Sequence, residues 1–488
     1  MAESNKKSGS VGGALIWKLL ERFGVQGIQF VLQIILARIL DPDHYGVLSM
    51  MIIFTNLANI FIQTGFNTAL IQNKHVTEED YSSVFCVSAL IAAVLYGVIY
   101  FAAPYIAVFY EMPDIVSPLR VLALMLLPGT LNSVQLAKAS RDLNFRTVFT
   151  SNIIAIVFSG AAGIAIARMG GGLWALVIQT ILNVTLATIV MLFTVRWRPR
   201  LHCNWKRIKI LFSFGWKLLV SGLLDTLYQD IRSLVIGKKY DSGTLGFYNR
   251  GKQFPQFIVN AVNGAVQSVM LPVMSTKQDN KESVKQITRT SIMVSAYLMF
   301  PVMAGLAGVA TPMVRLLLTD KWLPCVPYLQ IYCFSLAFYP VHSCNLQAIN
   351  AMGRSDIFLK LEIIKKSIGM FALVIAVFCF DSPIAIAMTG AFTTFTSCFI
   401  NAYPNKKLIN YSYFEQMADI MPAFLASIVM LFAVLWIGTV ELPNIVLLIA
   451  QVATGVTVYF AVSIIAKLEP FVVLLQMVKN NVQRRDKK

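Results

Sequence analysis

The sequence is poor in charge: Asp, Glu, Lys and Arg together make up only 13% of its 488 residues. A typical soluble domain carries about 25% charged residues and roughly 45–50% apolar ones. Here 57% of the residues are hydrophobic, which is more than a water-soluble globule of this size can bury. The composition therefore excludes an ordinary cytosolic enzyme, a secreted disulfide scaffold and a disordered protein. It indicates an all-α polytopic membrane protein, because the apolar residues occur in long runs.

Side chains that commonly bind metals or carry out catalysis are few and scattered. The seven cysteines form no CxxC pair and lie mostly inside apolar runs, so they predict neither disulfides nor a metal site. The four histidines are far apart along the chain. Walker A, GxSxG, HExxH and DxxD patterns are absent, which argues against ATP hydrolysis and against hydrolysis within the membrane. We expect no metal, no cofactor and no enzyme activity.

Apolar runs of about 20 residues recur along the whole chain, and each can cross the hydrocarbon core at about 1.5 Å per residue. They predict about 14 transmembrane helices. The predicted spans are 13–38, 45–71, 83–109, 119–139, 148–167, 173–195, 212–236, 246–274, 288–311, 326–350, 360–380, 384–403, 419–438 and 444–466. The loops between them are short, so no soluble catalytic domain is expected.

The net charge of +17 is unevenly distributed between alternate loops. If the N-terminus is cytoplasmic, most of the 41 Lys and Arg residues fall on the cytoplasmic side, as the positive-inside rule requires. The densest basic loop is 196–209, and the tail at 484–488 is also basic. We therefore predict that both termini are cytoplasmic. Such clusters contact anionic lipid headgroups, and no nucleic-acid partner is expected.

The chain also resembles itself. Three pairs of segments carry the likeness: WKLL at 17–20 and 216–219, DPDHYG at 41–46 and DSGTLG at 241–246, and RDLNF at 141–145 and RSDIF at 354–358. Each copy holds an even number of spans, so both copies start on the same side of the membrane. The pattern predicts two six-helix lobes, related by a parallel internal repeat around a central cavity, plus two C-terminal helices.

The predicted boundaries follow from this repeat. They are an N-terminal lobe at 1–195, a basic cytoplasmic inter-lobe loop at 196–211, a C-terminal lobe at 212–403, two additional transmembrane helices at 404–466, and a basic cytoplasmic tail at 467–488.

Polar residues within the spans recur at helical spacing on the first two helices of each lobe. The amides are Gln26, Asn56, Gln63, Gln256 and Asn263, and the charged residues are Arg22, Asp225, Asp230, Arg250 and Lys252. A charge turned toward lipid costs about 2.5–3.5 kcal/mol, so these faces should meet protein or water. Other interpretations stay open: the amides can link helices, Asp225 can neutralise Arg232 or Lys217, and Arg250 and Lys252 can act as interfacial anchors.

Several whole segments together resemble a known family. They are the first helix at 13–40, the corner at 41–46, NxxNIFIQTGFNTALIQ at 56–72, SRDLNF at 140–145 and the stretch at 215–255. The chain is similar from about residue 10 to residue 410 to the Wzx-type polysaccharide flippases, and most to their colanic-acid/lipopolysaccharide exporter branch. These belong to the multidrug/oligosaccharidyl-lipid/polysaccharide transporter superfamily.

The resemblance implies a substrate and a location. The substrate class is an undecaprenyl-diphosphate-linked oligosaccharide, a repeat unit of O-antigen, capsule or exopolysaccharide, flipped across the bacterial inner membrane. It implies that Arg22, Arg250 and Lys252 bind the diphosphate and that H⁺ or Na⁺ is the coupling ion. The polymerase and glycosyltransferases of the same pathway are the expected protein partners.

Residue chemistry supports these roles independently. Amide rows suit a glycan, fixed cations suit a diphosphate, and an intramembrane carboxylate such as Asp225 or Asp230 suits ion coupling. Two alternatives remain: a drug/cation antiporter of the same superfamily, and a membrane-embedded glycosyl- or phosphotransferase. The antiporter would favour an acidic cavity, and the transferase would need paired carboxylates or a metal cluster.

Overall fold

The computed structural model describes residues 17, 24–72, 76–195, 197–199, 203–275, 277 and 280–476. Every regular element in these ranges is helical, which confirms the all-α prediction. The chain divides into two compact units, residues 1–246 and 247–488. The lobe boundaries expected from the sequence, at 195 and 212, stay a prediction.

The first unit begins with α1 (Gly24–Ile39) and α2 (Pro42–Gln72). It continues with α3 (Glu78–Tyr110), α4 (Val116–Ala123), α5 (Leu126–Arg141), α6 (Phe145–Arg168), α7 (Leu173–Thr194) and α8 (Trp205–Lys239). The next helix, α9 (Ser242–Ser275), starts in this unit and continues into the second.

The second unit contains the remaining helices. They are α10 (Lys281–Gly308), α11 (Ala310–Leu318), α12 (Val326–Ala337), α13 (Tyr339–Ala351), α14 (Ser355–Cys379), α15 (Pro383–Ala402), α16 (Asn405–Leu408), α17 (Tyr413–Ile437) and α18 (Asn444–Ile465). A further helical segment covers 469–476.

Two predicted spans are each split into two helices, and the cause is the same in both units. The span at 119–139 is divided into α4 and α5, and the span at 326–350 into α12 and α13. Pro128 and Pro340 lie just after the two breaks. A proline lacks the backbone N–H and its ring clashes with the carbonyl four residues earlier, so the helix ends just before it. Both units thus share a proline-directed break.

Nine helical segments in the described ranges are long and apolar enough to span a membrane. Helices α8, α9 and α14 are equally long but carry more polar and charged side chains, and α8 and α9 include two of the polar faces found in the sequence. The structure therefore supports a multi-pass membrane protein, while the number fourteen stays a prediction.

The two copies of the repeated corner pack directly on each other within the first unit. A Cβ added to Gly46 would overlap the Ser242 carbonyl oxygen, and one added to Gly246 would overlap the Pro42 carbonyl oxygen. The Ser242 hydroxyl also donates to Asp43 Oδ1 at 2.6 Å. Only glycine permits backbones to approach so closely. The corners at 41–46 and 241–246 therefore form a reciprocal glycine contact.

Candidate functional site

The first unit presents a polar face on α2 and α8, which pack against each other. Asn56 and Gln63 on α2 are exposed, and so are Asp225 and Gln229 on α8. By contrast, the exposed side chains on the middle of α3 are apolar, and Phe101 is 73% exposed. Amides and carboxylates are expensive to expose to lipid, whereas Phe is not. This part of α2 and α8 therefore suits water or a polar ligand.

The two carboxylates predicted to bind the coupling ion lie on α8 with different surroundings. Asp225 is exposed, while Asp230 is half-buried. Arg232 is only 8% exposed, and its guanidinium lies 5.4 Å from the centre of the Tyr228 ring. All three charged groups interact with neighbouring groups. Asp225 is the more accessible of the two carboxylates, so it is the better placed to exchange an ion with water.

Arg250 of the second unit lies in a buried corner of α9. It is 4% exposed, its Nη1 donates to Gln253 Oε1 at 2.7 Å, and its guanidinium lies 5.1 Å from the centre of the Trp322 ring. The helix can come this close because Gly251 has no side chain: a Cβ there would lie 2.7 Å from Tyr328 Cβ. Arg250 therefore packs against protein in this state.

Lys252 begins a row of half-buried polar side chains along α9. Its Nζ lies 5.9 Å from the centre of the Tyr332 ring, and the Tyr332 hydroxyl is hydrogen-bonded to that of Tyr248. Further along, Gln256 Nε2 donates to Asn260 Oδ1 at 2.9 Å. Asn263 Oδ1 is buried and has no hydrogen-bond partner among the described residues. The row combines one cation, aromatic rings and amides, as recognition of a phosphorylated glycan requires.

Two predicted features cannot be placed. Arg22 lies outside the described residues, and so does the side chain of Lys217. Gln26 is described and is half-buried on α1. Within the described ranges, no group of three or more His, Cys, Asp or Glu side chains could hold a metal ion.

Sequence reasoning missed one charged pair. Glu362 and Lys365 form an ion pair on α14, inside the predicted span at 360–380. Their spacing of three residues was visible in the sequence, and so was their position within an apolar run. The pair forms no polar row of the kind seen on the first two helices of each lobe, so the sequence pattern did not single it out.

Comparison with known proteins identifies the family of this chain. The family model described as "Polysaccharide biosynthesis protein" matches residues 35–327. The chain belongs to this family. The family predicted from the sequence is therefore confirmed.

The chain is similar in sequence to two proteins of polysaccharide biosynthesis. The chain is 26% identical over 305 residues to the teichuronic acid biosynthesis protein TuaB of Bacillus subtilis (strain 168), covering 62% of this chain and 63% of that one. It is 24% identical over 458 residues to the succinoglycan biosynthesis transport protein ExoT of Rhizobium meliloti (strain 1021), covering 91% and 90%. The match thus spans less than two thirds of TuaB but nearly all of ExoT.

A solved structure shares the fold. The lipid II flippase MurJ, in an inward closed conformation, superimposes with a TM-score of 0.73 at 14% identity, over 94% of this chain and 98% of that one. At this identity the likeness establishes the fold. Family and fold are those of membrane transport proteins.

Proposed function

We propose that the protein flips an undecaprenyl-diphosphate-linked oligosaccharide from the cytoplasmic to the outer leaflet of the bacterial inner membrane. The oligosaccharide is a repeat unit of O-antigen, capsule or exopolysaccharide. One observation carries the proposal: long helices of a polysaccharide biosynthesis protein expose amides and a carboxylate where neighbouring helices expose Phe and Val. Such faces let a polar glycan pass through a region that would otherwise exclude it.

In this proposal the cations have different roles, because their side chains differ in exposure. Lys252 is half-buried beside Tyr332 and can donate directly to a diphosphate oxygen. Arg250 is buried against Trp322 and acts as a positioning residue that fixes the start of α9. Arg22 is proposed as a further diphosphate ligand. The glycan contacts Gln26, Asn56 and Gln63 of the first unit, and Gln256 and Asn263 of the second.

An ion gradient supplies the free energy in this proposal. Asp225 binds H⁺ or Na⁺, because an exposed carboxylate on a polar helix face can exchange ions with water, and Asp230 of the same helix is proposed as a second ion ligand. Both termini lie in the cytoplasm, and the polymerase and glycosyltransferases of the same pathway supply or consume the substrate. The protein itself forms and breaks no covalent bond.

The test is flipping of a fluorescent undecaprenyl-diphosphate-linked oligosaccharide in proteoliposomes, read by quenching from outside. We expect flipping by the wild-type protein and a rate about tenfold lower in Lys252→Gln, because a hydrogen bond to a charged group is worth about 1.5–3 kcal/mol. Lys277→Gln, a substitution at an exposed lysine near the other end of α9, is the matched control and should keep the wild-type rate.

The same vesicles distinguish the alternatives. Absence of lipid flipping together with proton-driven uptake of ethidium would replace the proposal with a drug/cation antiporter. Release of free diphosphate or transfer of the glycan would point to a transferase. Equal rates for the Lys252→Gln variant and the wild type would remove Lys252 from the diphosphate site.

A further inference from the structure

Lys365 lies on the buried side of α14, where the other buried residues are apolar. The buried residues of α14 follow one stripe, Leu361, Lys365, Gly369, Leu373 and Ala376. Lys365 itself is 7% exposed, whereas Leu359 and Ile363 on the opposite side are 61% and 58% exposed. The ammonium is therefore not turned toward lipid, and it occupies a position that neighbouring turns fill with Leu, Ala or Gly.

The partner of this ammonium is a carboxylate one turn closer to the start of α14. Lys365 Nζ donates to Glu362 Oε1, and the side chain of Glu362 is 27% exposed. Removing two charges from water costs several kcal/mol per ion, and their attraction often does no more than offset this. A buried pair is thus weak as a stabilising device. Both residues lie near the start of the predicted span at 360–380, and ionisable groups retained inside such spans usually serve proton or ion movement.

Further acceptors lie on the two helices that pack against α14. His342 of α13 has its Nδ1 buried, and Asn401 of α15 has its Oδ1 buried, each without a hydrogen-bond partner among the described residues. Asn401 Nδ2 donates to the His342 carbonyl oxygen at 3.3 Å, which links α15 to α13. The positive charge of Lys365 acts on the His342 ring. The ammonium therefore has one acceptor in use, and the two helices that contact α14 carry two buried acceptors without a partner among the described residues.

Competing titratable groups are few on these helices. Apart from His342, α13 and α15 contribute only Tyr339, Cys344 and Cys398. The Tyr339 ring packs edge-on against His342, and Cys398 Sγ lies 3.9 Å from the Phe338 carbonyl oxygen. On α14 itself, Lys360 is exposed and Lys366 is half-buried. Glu362 is the one carboxylate of α13, α14 and α15 within the predicted spans.

The repeat shows that this chemistry is confined to one unit. Aligning 141–145 with 354–358 places Gly129 opposite His342, Phe149 opposite Glu362 and Asn152 opposite Lys365. The first unit therefore has no charge at the equivalent three positions, although it uses the same helices. The charged cluster is thus not needed to build this helix arrangement.

We propose that Glu362, Lys365 and His342 form a proton-binding switch, which rests on the proposed function because it supplies the coupling step. A proton from water bonds to the Glu362 carboxylate and neutralises it. The ammonium then leaves Glu362 and donates to His342 Nδ1 or Asn401 Oδ1. Loss of the proton restores the Glu362–Lys365 pair, so one proton enters and one leaves per cycle. The site takes H⁺ rather than Na⁺, because the ammonium already supplies the cation.

Infrared titration tests proton binding without substrate. The full-length protein in liposomes is compared between about pH 8 and about pH 4, a range that reaches the ordinary titration of carboxylic acids. We expect a carboxylic-acid C=O band at low pH that Glu362→Gln removes. Asp356→Asn, which changes an exposed acid on the same helix, should leave the band in place. A band of full size in the Glu362→Gln variant would overturn the proposal.

Flipping under an imposed pH gradient tests coupling. A gradient of one pH unit can accelerate a one-proton process up to about tenfold. We expect that acceleration to disappear in Lys365→Met and in the charge-neutral double variant Glu362→Gln/Lys365→Met, which avoids an unpaired buried charge. A double variant that folds and still responds to the pH gradient would overturn the coupling role. If the protein flips no lipid-linked oligosaccharide but the infrared band titrates through Glu362, the proposed function fails while the proton site stands.

Discussion

The two units use the same order of helices but place their charges differently. In the first unit the membrane-depth carboxylate, Asp225, is exposed on a polar face of α8. In the second unit Glu362 is paired with a buried lysine on α14. The broken helices and their prolines, Pro128 and Pro340, recur in both. The broken helices are thus common to the two units, whereas the surroundings of their carboxylates differ.

A second contrast concerns an Arg–Asp pair that joins two helices in each unit. In the first unit Arg207 of α8 donates two hydrogen bonds, at 2.8 and 2.6 Å, to Asp80 of α3. In the second unit Arg289 of α10 donates two, both at 2.9 Å, to Asp419 of α17. The geometry is the same and the polarity is reversed. Both units thus use a bidentate Arg–Asp pair to join two helices that are distant in sequence.

The largest effect is expected where the repeat is most symmetric, at the glycine contact of the two corners. Gly46→Val or Gly246→Val would force a side chain into a backbone carbonyl oxygen that lies about where the Cβ would be, so the cost should far exceed the about 1–3 kcal/mol of ordinary core overpacking. We expect a marked loss of folded protein in detergent, measured by size-exclusion chromatography and thermal unfolding. Gly97→Val on α3, where an added Cβ meets no atom within 4 Å, is the control. Equal stability of all three variants would show that the corners separate easily.

Next in size is the reversed ion pair. Asp80 is 1% exposed, so Asp80→Arg leaves a buried charge without its partner and should cost about 3–5 kcal/mol. The double reversal Asp80→Arg/Arg207→Asp should recover part of that loss, as seen in the unfolding temperature. Reversing the exposed Arg354–Asp356 pair should leave the unfolding temperature unchanged, because water screens the charges of an exposed pair. No recovery in the double variant would mean that the local backbone also dictates the polarity.

Much of this arrangement could be predicted from the sequence. Hydrophobic runs gave the helical class, and the likeness of 41–46 to 241–246 gave the repeated corner. Two features could not be predicted. The burial of Arg250 depends on Gly251 allowing α9 to lie against Tyr328 and Trp322, a long-range contact with no local signal. In the sequence Lys365 only interrupts an apolar run, and its burial becomes visible once α13 and α15 are packed against α14.

A smaller effect is expected from neutralising Asp225 or Glu362, the two acids proposed to bind protons. Asp225→Asn and Glu362→Gln should each reduce the response of flipping to an imposed pH gradient. If the exposed Asp225 and the half-buried Glu362 act in series, the double variant should be no worse than the more severe single variant, since coupled sites are not additive. Additive losses would show two independent routes. Asp230→Asn, at the half-buried neighbour, should have the weaker effect of the two α8 acids.

The smallest effect concerns Asp241, a carboxylate that caps one of the repeated corners. Asp241 accepts hydrogen bonds from the Thr244 N–H at 2.7 Å and the Thr244 hydroxyl at 2.8 Å. In the other copy the Asp41 N–H donates to His44 Nδ1 at 3.3 Å. Partial burial raises the pKa of Asp241, but these hydrogen bonds outweigh it and hold the pKa below its usual range. An acid with a depressed pKa stabilises the fold above its unfolded pKa and loses that contribution as the pH falls.

Asp241→Asn should therefore lower stability at pH 7 by less than the about 1 kcal/mol of a lost helix cap, because asparagine also caps helices, and by less still at about pH 3. The measurement is thermal unfolding of both proteins in detergent at the two pH values. Asp114→Asn, at an exposed acid in the first unit, should show no such pH dependence. If Asp241→Asn were equally destabilising at both pH values, the cap would act through its shape. The two corners would then be held by glycine packing alone, and the difference between their caps would carry no stability.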